Sequence, residues 1–317
     1  MKIVIPDSKT VTDGDISLEC FKDFGEVEIY DLTGTELLEE RIRDADILLC
    51  NKTPMNHETL KKADKLKYIG LFATGYNNVD LSFTESRGIT VCNAADYSTA
   101  AVAQHTFALI LEHYSRVSQY NTFVQDGKWI SADVFSPFVY RMQELSGKTI
   151  GIVGFGSIGR AVAAIAAAFG MKVLFYSRSK KNCGENYRQV DLQTLAAVSD
   201  IVTVHCPLNG DSEKMFNADL FAKFKQGALF INTARGGVVD EPALKAALES
   251  GHLGGAALDV LDGEPMSADC PLLGVKNLII TPHIAWAPTE TRQRVVQIVY
   301  NNLASFLDGH PTNVITR

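Results

Sequence analysis

A chain of 317 residues, 46% hydrophobic and 21% charged, has the composition of an ordinary globular protein and is long enough for two cores. Its net charge of −7 offers no general attraction to nucleic acid or an anionic membrane, so neither is expected as a partner. Six scattered cysteines without CxxC spacing, no apolar stretch of membrane-spanning length and no leader-like segment before the first strand predict a cytoplasmic protein with reduced thiols and no metal site.

In chain order, the first hundred residues alternate the apolar runs KIVIP, VEIYD, DILLC, YIGLFA and ITVCNA with helical patterns such as GTELLEERIRDAD. Strands alternating with helices predict a parallel sheet covered on both faces. From Tyr97 a long helical pattern runs through TAAVAQHTFALILEHYSRV, with Ser98 or Thr99 as its N-cap. The section DGKWISADVFSPFVYRMQELSG is too aromatic for a disordered linker and reads as an arm packed on something, such as a second subunit. A second alternating series begins at Lys148, with the runs TIGIVG, KVLFYS, IVTVHC, ALFINTA, GAALDVL and NLIITPH. Six Ile- and Val-rich strands are the number in a complete doubly wound dinucleotide fold. The tail TRQRVVQIVYNNLASFLDGHP predicts an amphipathic helix that returns to complete the first domain.

Within the second series, GIVGFGSIGRAVA places Gly154, Gly156 and Gly159 in G-x-G-x-x-G spacing, followed by an Ala-rich helix. The pattern alone is weak, but a strand before it and a helix after it are the context that gives it meaning. Gly154 permits the tight turn, Gly156 admits a pyrophosphate, and Gly159 lets helix and strand pack closely. The first helical residues, Ser157 and Ile158, then present backbone N–H groups to phosphate.

Ligands of doubly wound sheets bind beyond the carboxyl ends of the strands. Cys206 and Pro207 fall there, as do Thr233, Ala234, Arg235, Asp259, Glu264, His283 and Ala285. His283 suits proton exchange near neutral pH, Glu264 suits the role of its carboxylate partner, and the planar fork of Arg235 suits a carboxylate substrate. Each also has an ordinary explanation: Arg235 pairing with Asp240 or Glu241, Glu264 as a solvated turn residue, His283 as a core histidine.

The stretch YSRSKK shapes the cofactor expectation. Where dinucleotide folds that bind NAD place an acid for the ribose 2′-hydroxyl, this chain has Ser177, followed by Arg178, Ser179, Lys180 and Lys181. A hydroxyl and cations at that point favour the 2′-phosphate of NADP over NAD. The other reading is a solvated basic turn.

Taken together, ATGYNNVD (73–80), GIVGFGSIGR (151–160), HCPLN (205–209), NTARGGVVDE (232–241), LDVLDGEP (258–265) and TPHIAWA (281–287) resemble the D-isomer-specific 2-hydroxyacid dehydrogenase family over essentially the whole chain. The resemblance implies an α/β protein of two doubly wound parallel-sheet domains, a Rossmann cofactor domain (98–287) inserted into a flavodoxin-like substrate domain (1–97 and 288–317). It implies reduction of a small 2-oxo acid to the D-2-hydroxy acid by NAD(P)H, with His283 as acid/base, Glu264 as its partner and Arg235 as the substrate anchor. Asp259 and the Thr233–Ala234 backbone would face the nicotinamide, and Thr74 and Gly75 would hold the substrate carboxylate. Lys52, at another strand end, is an additional cation or a solvated loop lysine. HIAWA and the ending SFLDGHPTNVI are most similar to glycerate dehydrogenases, which are hydroxypyruvate and glyoxylate reductases, with Trp286 walling a pocket for small 2-oxo acids. A homodimer is expected. Gln104 departs from the Glu of many relatives without an expected functional consequence. A phosphoglycerate or D-lactate-type dehydrogenase, and a dinucleotide-sensing corepressor-like protein, remain the alternatives.

Overall fold

Each of the eleven apolar runs that alternate with helical patterns becomes a strand in the computed structural model, which describes residues 1–184 and 186–316. The chain divides into two compact units, Met1–Ser98 with Ala287–Arg317, and Thr99–Trp286.

The first unit holds β1 (Lys2–Ile5), β2 (Glu26–Ile29), β3 (Ile47–Cys50), β4 (Tyr68–Leu71) and β5 (Thr90–Cys92). They form one parallel sheet in the order β2-β1-β3-β4-β5, the flavodoxin-like arrangement. The ILLC of β3 and the YIGL of β4 are buried at every position, because a central parallel strand is covered on both faces. The helix Thr289–Leu307 returns to this sheet with Val295, Val299 and Leu303 fully buried. It seats closely on β4, where a Cβ on Gly70 would lie 2.8 Å from Leu49 Cδ2 and 3.3 Å from Val299 Cγ1.

The second unit holds β6 (Thr149–Val153), β7 (Lys172–Tyr176), β8 (Tyr187–Gln189), β9 (Ile201–Val204), β10 (Leu229–Asn232), β11 (Gly255–Leu258) and β12 (Leu278–Ile280). The sheet is parallel throughout, in the order β12-β11-β10-β9-β6-β7-β8. The direction of winding reverses between β6 and β9, which creates the crevice where such sheets take ligands. Alternate residues of a strand face opposite layers. Phe230 therefore joins the apolar layer with Phe216, Phe221 and Phe224, while Leu229 and Ile231 join the layer with Phe107, Ile110 and Val162.

Two local features differ from the sequence expectation. The sheet has seven strands rather than six, because the edge strand β8 (YRQ) is half-exposed and carries no apolar run. The helical pattern after Tyr97 is the helix Thr99–Ser115, and past Arg116 at φ +55° a second helix, Val117–Gln125, follows, of which the pattern included only Val117. Residues 126–147 form no helix or strand. Trp129 Nε1 donates to Phe135 O and Tyr120 Oη to Tyr140 O, so the segment has a defined shape.

Candidate active site

The glycine turn joins β6 to the helix Ser157–Ala168. Gly154 has φ +97°, and a Cβ there would lie 2.6 Å from both Cys206 N and His205 C; backbone conformation and close approach both demand glycine. A Cβ on Gly159 would sit 2.1 Å from Gly154 O, so this glycine lets the helix press onto the turn. Gly156 is different: a Cβ would meet nothing within 4 Å. It is the N-cap of the helix and makes no side-chain capping bond. The first N–H groups of the helix thus face an open cradle suited to an anion.

That cradle opens into a groove of about 290 Å³ at the carboxyl ends of β6, β7 and β9. Its lining includes Gly154, Gly156, Ser177, Arg178, Ser179, Cys206 and Pro207, all expected at the cofactor, and also Lys181, His205 and Asp211. Ser157, Ile158 and Gly159 form the first helical turn beside it. Inside the groove, burial pushes the His205 imidazole down to about 3 and the Cys206 thiol up to about 11. The His205 ring is therefore neutral at physiological pH, and its Nε2 is buried without a hydrogen-bond partner. A polar ligand would satisfy that atom. The open cradle, the uncapped helix start and this nitrogen together fit a dinucleotide.

The turn after β7 is held from β8. Gln189 Nε2 donates to Ser177 O (3.0 Å) and Ser179 O (3.1 Å), while Gln189 Oε1 accepts from Lys181 N (3.0 Å). One amide thus fixes the backbone that carries Ser177, Arg178 and Ser179. The Arg178 guanidinium lies 2.8 Å from Asp211 Oδ2 in an exposed ion pair.

The second group of expected residues sits on the adjoining rim. In the sheet, Asn232 of β10 is level with Leu258 of β11, which is level with Ile280 of β12. Arg235 and His283 each follow this line by three residues and Asp259 by one, so all three project from the same edge. His283 Nδ1 lies 2.7 Å from Glu264 Oε2, and Glu264 Oε1 accepts from Leu261 N at 3.0 Å. The imidazole and carboxylate expected as a pair are one.

His283 has φ +56°, an uncommon conformation for a residue with a side chain. Its N–H donates to Asp259 O at 2.8 Å. The buried Asp259 carboxylate accepts from Ile284 N, Ala285 N and Thr281 Oγ1 at 2.9, 2.8 and 2.5 Å. His105 Nε2 in turn lies 3.0 Å from Thr281 Oγ1. Asp259 thus gathers the turn from 281 to 285 on which His283 stands.

Arg235 is shaped by Asn232, whose side chain accepts from Ala234 N (3.0 Å) and donates to Arg235 O (2.9 Å). Its Nη1 donates to Ala234 O at 2.7 Å. The carboxylates of Asp240 and Glu241, its candidate strand-capping partners, accept from Ala243 N and Asp262 N instead. Thr233 Oγ1 lies 3.2 Å from Thr106 Oγ1 and 3.5 Å from His205 Nδ1.

The remaining expected residues in the first unit follow β3 and β4. Lys52 N donates to the buried carboxylate of Asp7 (2.7 Å), which also accepts from Asn51 N and Thr53 N. Thr74 Oγ1 donates to Ala94 O, and Thr74 O accepts from Asn93 Nδ2, both at 2.7 Å. The Ala73–Gly75 loop is thereby fixed next to β4.

Gln189, Asn232 and Thr281 escape the sequence reading, although polar residues at or just beyond strand ends are a usable signal. His105 and Asp211 give no such signal, since only folding brings them to Thr281 and Arg178. Among the described residues, no group of three or more His, Cys, Asp or Glu could hold a metal ion, and no helix is long and apolar enough to cross a membrane.

Residues 107–285 match the family model for the D-isomer specific 2-hydroxyacid dehydrogenase, NAD binding domain. The chain belongs to this dehydrogenase family. The dehydrogenase is 43% identical to a hydroxypyruvate reductase of Blautia hydrogenotrophica over the whole of both chains. It is 38% identical to a glycerate dehydrogenase of Methylorubrum extorquens, over 92% of each. Among solved structures, an NADPH-dependent glyoxylate/hydroxypyruvate reductase of Sinorhizobium meliloti, in complex with NADP and malonate, superposes with a TM-score of 0.86. That match covers 99% of this chain and 96% of the other at 27% identity. The dehydrogenase is therefore an oxidoreductase that uses a nicotinamide dinucleotide.

Proposed function

We propose that this dehydrogenase reduces hydroxypyruvate or glyoxylate to the D-2-hydroxy acid, with NADPH favoured over NADH. The observation that carries the chemistry is the His283–Glu264 pair at 2.7 Å, set on the same sheet as the glycine cradle. The names of the two relatives and of the solved reductase support the substrate class.

We assign Gly154, Gly156, Ser157, Ile158 and Gly159 to the pyrophosphate, Thr233, Ala234 and Asp259 to the nicotinamide, and Cys206, Pro207 and Ala285 to the dinucleotide as well, the first two in the groove that Ser177 and Arg178 line. When bound, the reduced nicotinamide supplies a hydride to the carbonyl carbon. The carboxylate of Glu264 accepts from His283 Nδ1–H, which leaves Nε2 to deliver a proton to the carbonyl oxygen as it becomes an alkoxide. A carboxylate partner also stabilises the charged imidazolium that acts as the acid. Arg235 grips the substrate carboxylate with two parallel N–H bonds and orients the adjacent carbonyl. In oxidation the same nitrogen takes the proton back. Trp286 limits the size of the substrate side chain, and Thr74 and Gly75, with the Lys52 cation, serve the substrate carboxylate.

Support for NADPH comes from the turn that Gln189 holds: Ser177 offers a donor where an acid would repel a 2′-phosphate, and Arg178 and Lys181 line the same groove. The exposed aromatic arm supports a homodimer.

A matrix of NADPH and NADH against glyoxylate, hydroxypyruvate, pyruvate and phenylpyruvate tests the reading. Glyoxylate and hydroxypyruvate should give the highest kcat/KM, and NADPH should outperform NADH. Dinucleotide binding without turnover of any 2-oxo acid would favour a sensing role and remove the enzymatic one. Ser177→Asp combined with Arg178→Ala should shift preference toward NADH by a few kcal/mol, each factor of ten being about 1.4 kcal/mol; a wild type that already prefers NADH overturns the assignment.

A further inference from the structure

Arg178, the principal cation of the 2′-phosphate assignment, is already engaged: its Nη1 is 2.8 Å from Asp211 Oδ2. Asp211 comes from a different strand exit, the loop after β9, and both residues line the groove. This partner is not a loosely placed loop residue. Asp211 N donates to Asn209 Oδ1 at 3.0 Å, Ser212 Oγ donates to Pro207 O at 2.7 Å, and Asn209 N donates to Ser212 Oγ at 2.9 Å. Ser212 itself is buried. The facing turn is pinned by Gln189. Two rigid backbones therefore present the Arg178 and Asp211 side chains to each other across the groove.

We propose that Asp211 is a specificity-determining residue that sets how strongly this enzyme discriminates NADPH from NADH. It does so by competing with the 2′-phosphate for Arg178. This inference rests on the assignment of the basic turn to the 2′-phosphate. The chemistry is a competition between two anions for one guanidinium. A phosphate monoester carries about −1.5 to −2 charges near neutral pH and accepts bidentate bonds from Arg. A single exposed carboxylate holds Arg only weakly, so the phosphate can displace it. The displaced carboxylate remains in the groove as a like charge and opposes the phosphate. With NADH no second anion arrives, and the Arg178–Asp211 pair persists. Asp211 therefore lowers the affinity for NADPH and moderates a selectivity that Ser177, Arg178 and Lys181 would otherwise make stronger.

The test is direct binding to the full-length protein without substrate, by fluorescence titration with NADPH and with NADH. The wild type is compared with Asp211→Asn, Arg178→Ala and the double variant. The readout is the ratio of Kd for NADH to Kd for NADPH. Asp211→Asn should raise this ratio by about 1.5-fold to fivefold, the range for releasing an exposed ion pair. Arg178→Ala should lower it, and the gain from Asp211→Asn should shrink in the Arg178→Ala background. A ratio unmoved or lowered by Asp211→Asn, while Arg178→Ala lowers it, overturns the role of Asp211 and leaves the basic-turn assignment standing. A full gain that persists without Arg178 also overturns the competition. A ratio unmoved by Arg178→Ala overturns the basic-turn assignment itself. Because both side chains are exposed, the variants should fold, and matching circular dichroism spectra check this.

Discussion

At the scale of single residues, reactivity depends on what holds each side chain. His283 stands on a left-handed turn whose backbone is gathered by the buried Asp259 carboxylate through Ile284 N and Ala285 N, while Glu264 holds the imidazole itself. Removing the imidazole should therefore take away proton transfer without dismantling the dinucleotide cradle, which lies on other strand exits. His283→Gln is expected to lower kcat by about 10²- to 10⁴-fold, the usual contribution of a positioned acid/base, while dinucleotide affinity stays near that of the wild type. Stopped-flow and binding measurements on the same preparation check both halves. Undiminished turnover would remove His283 from the mechanism.

At the scale of elements, the helix Thr99–Ser115 shows how packing constrains charge. His113 lies on that helix where a Cβ on Gly255 of β11 would fall 2.6 Å from its Cε1. Burial, with the nearby Arg116 cation second, pulls its imidazole down from 6.5 to about 4. A histidine with a lowered folded-state pKa is held neutral. Its contribution to stability is complete above the unfolded value of 6.5 and is lost as pH falls through the window from 6.5 to 4. The melting temperature should therefore fall between pH 7 and pH 4.5, with His205, whose folded value is about 3, adding a loss that begins at the same 6.5 and continues to lower pH. His113→Gln, which cannot titrate, should flatten that fall. An identical pH slope in the variant would show that His113 does not contribute.

At the scale of the molecule, the exposed arm is the feature that a single chain leaves unexplained. Ile130, Phe135 and Phe138 are 91%, 88% and 88% exposed, in a segment whose shape is already fixed by Trp129 and Tyr120. Exposed apolar side chains on a segment of fixed shape are what an interface would use. On the homodimer reading, Phe135→Glu with Phe138→Glu should convert a dimer into a monomer in sedimentation velocity. A monomeric wild type would overturn the dimer, and a variant that stays dimeric would remove the arm from its interface.

By itself, the sequence determined the strand succession, because central parallel strands must be apolar at nearly every position; eleven of twelve strands coincide with an apolar run. It also determined the cradle, because Gly154 and Gly159 are positions where a Cβ meets backbone. The pairing of His283 with Glu264 was legible because both follow strand exits on one edge. The edge strand β8 was not, since a half-exposed strand needs no apolar run. Nor were Gln189, Asn232, His105 and Asp211, whose roles depend on hydrogen bonds or an ion pair. Polar contacts of this kind are short and directional, and no periodicity in the chain records them. Only the tertiary structure decided that Arg178 meets a carboxylate, because strands β7 and β9 flank β6 and bring their two exits across one groove.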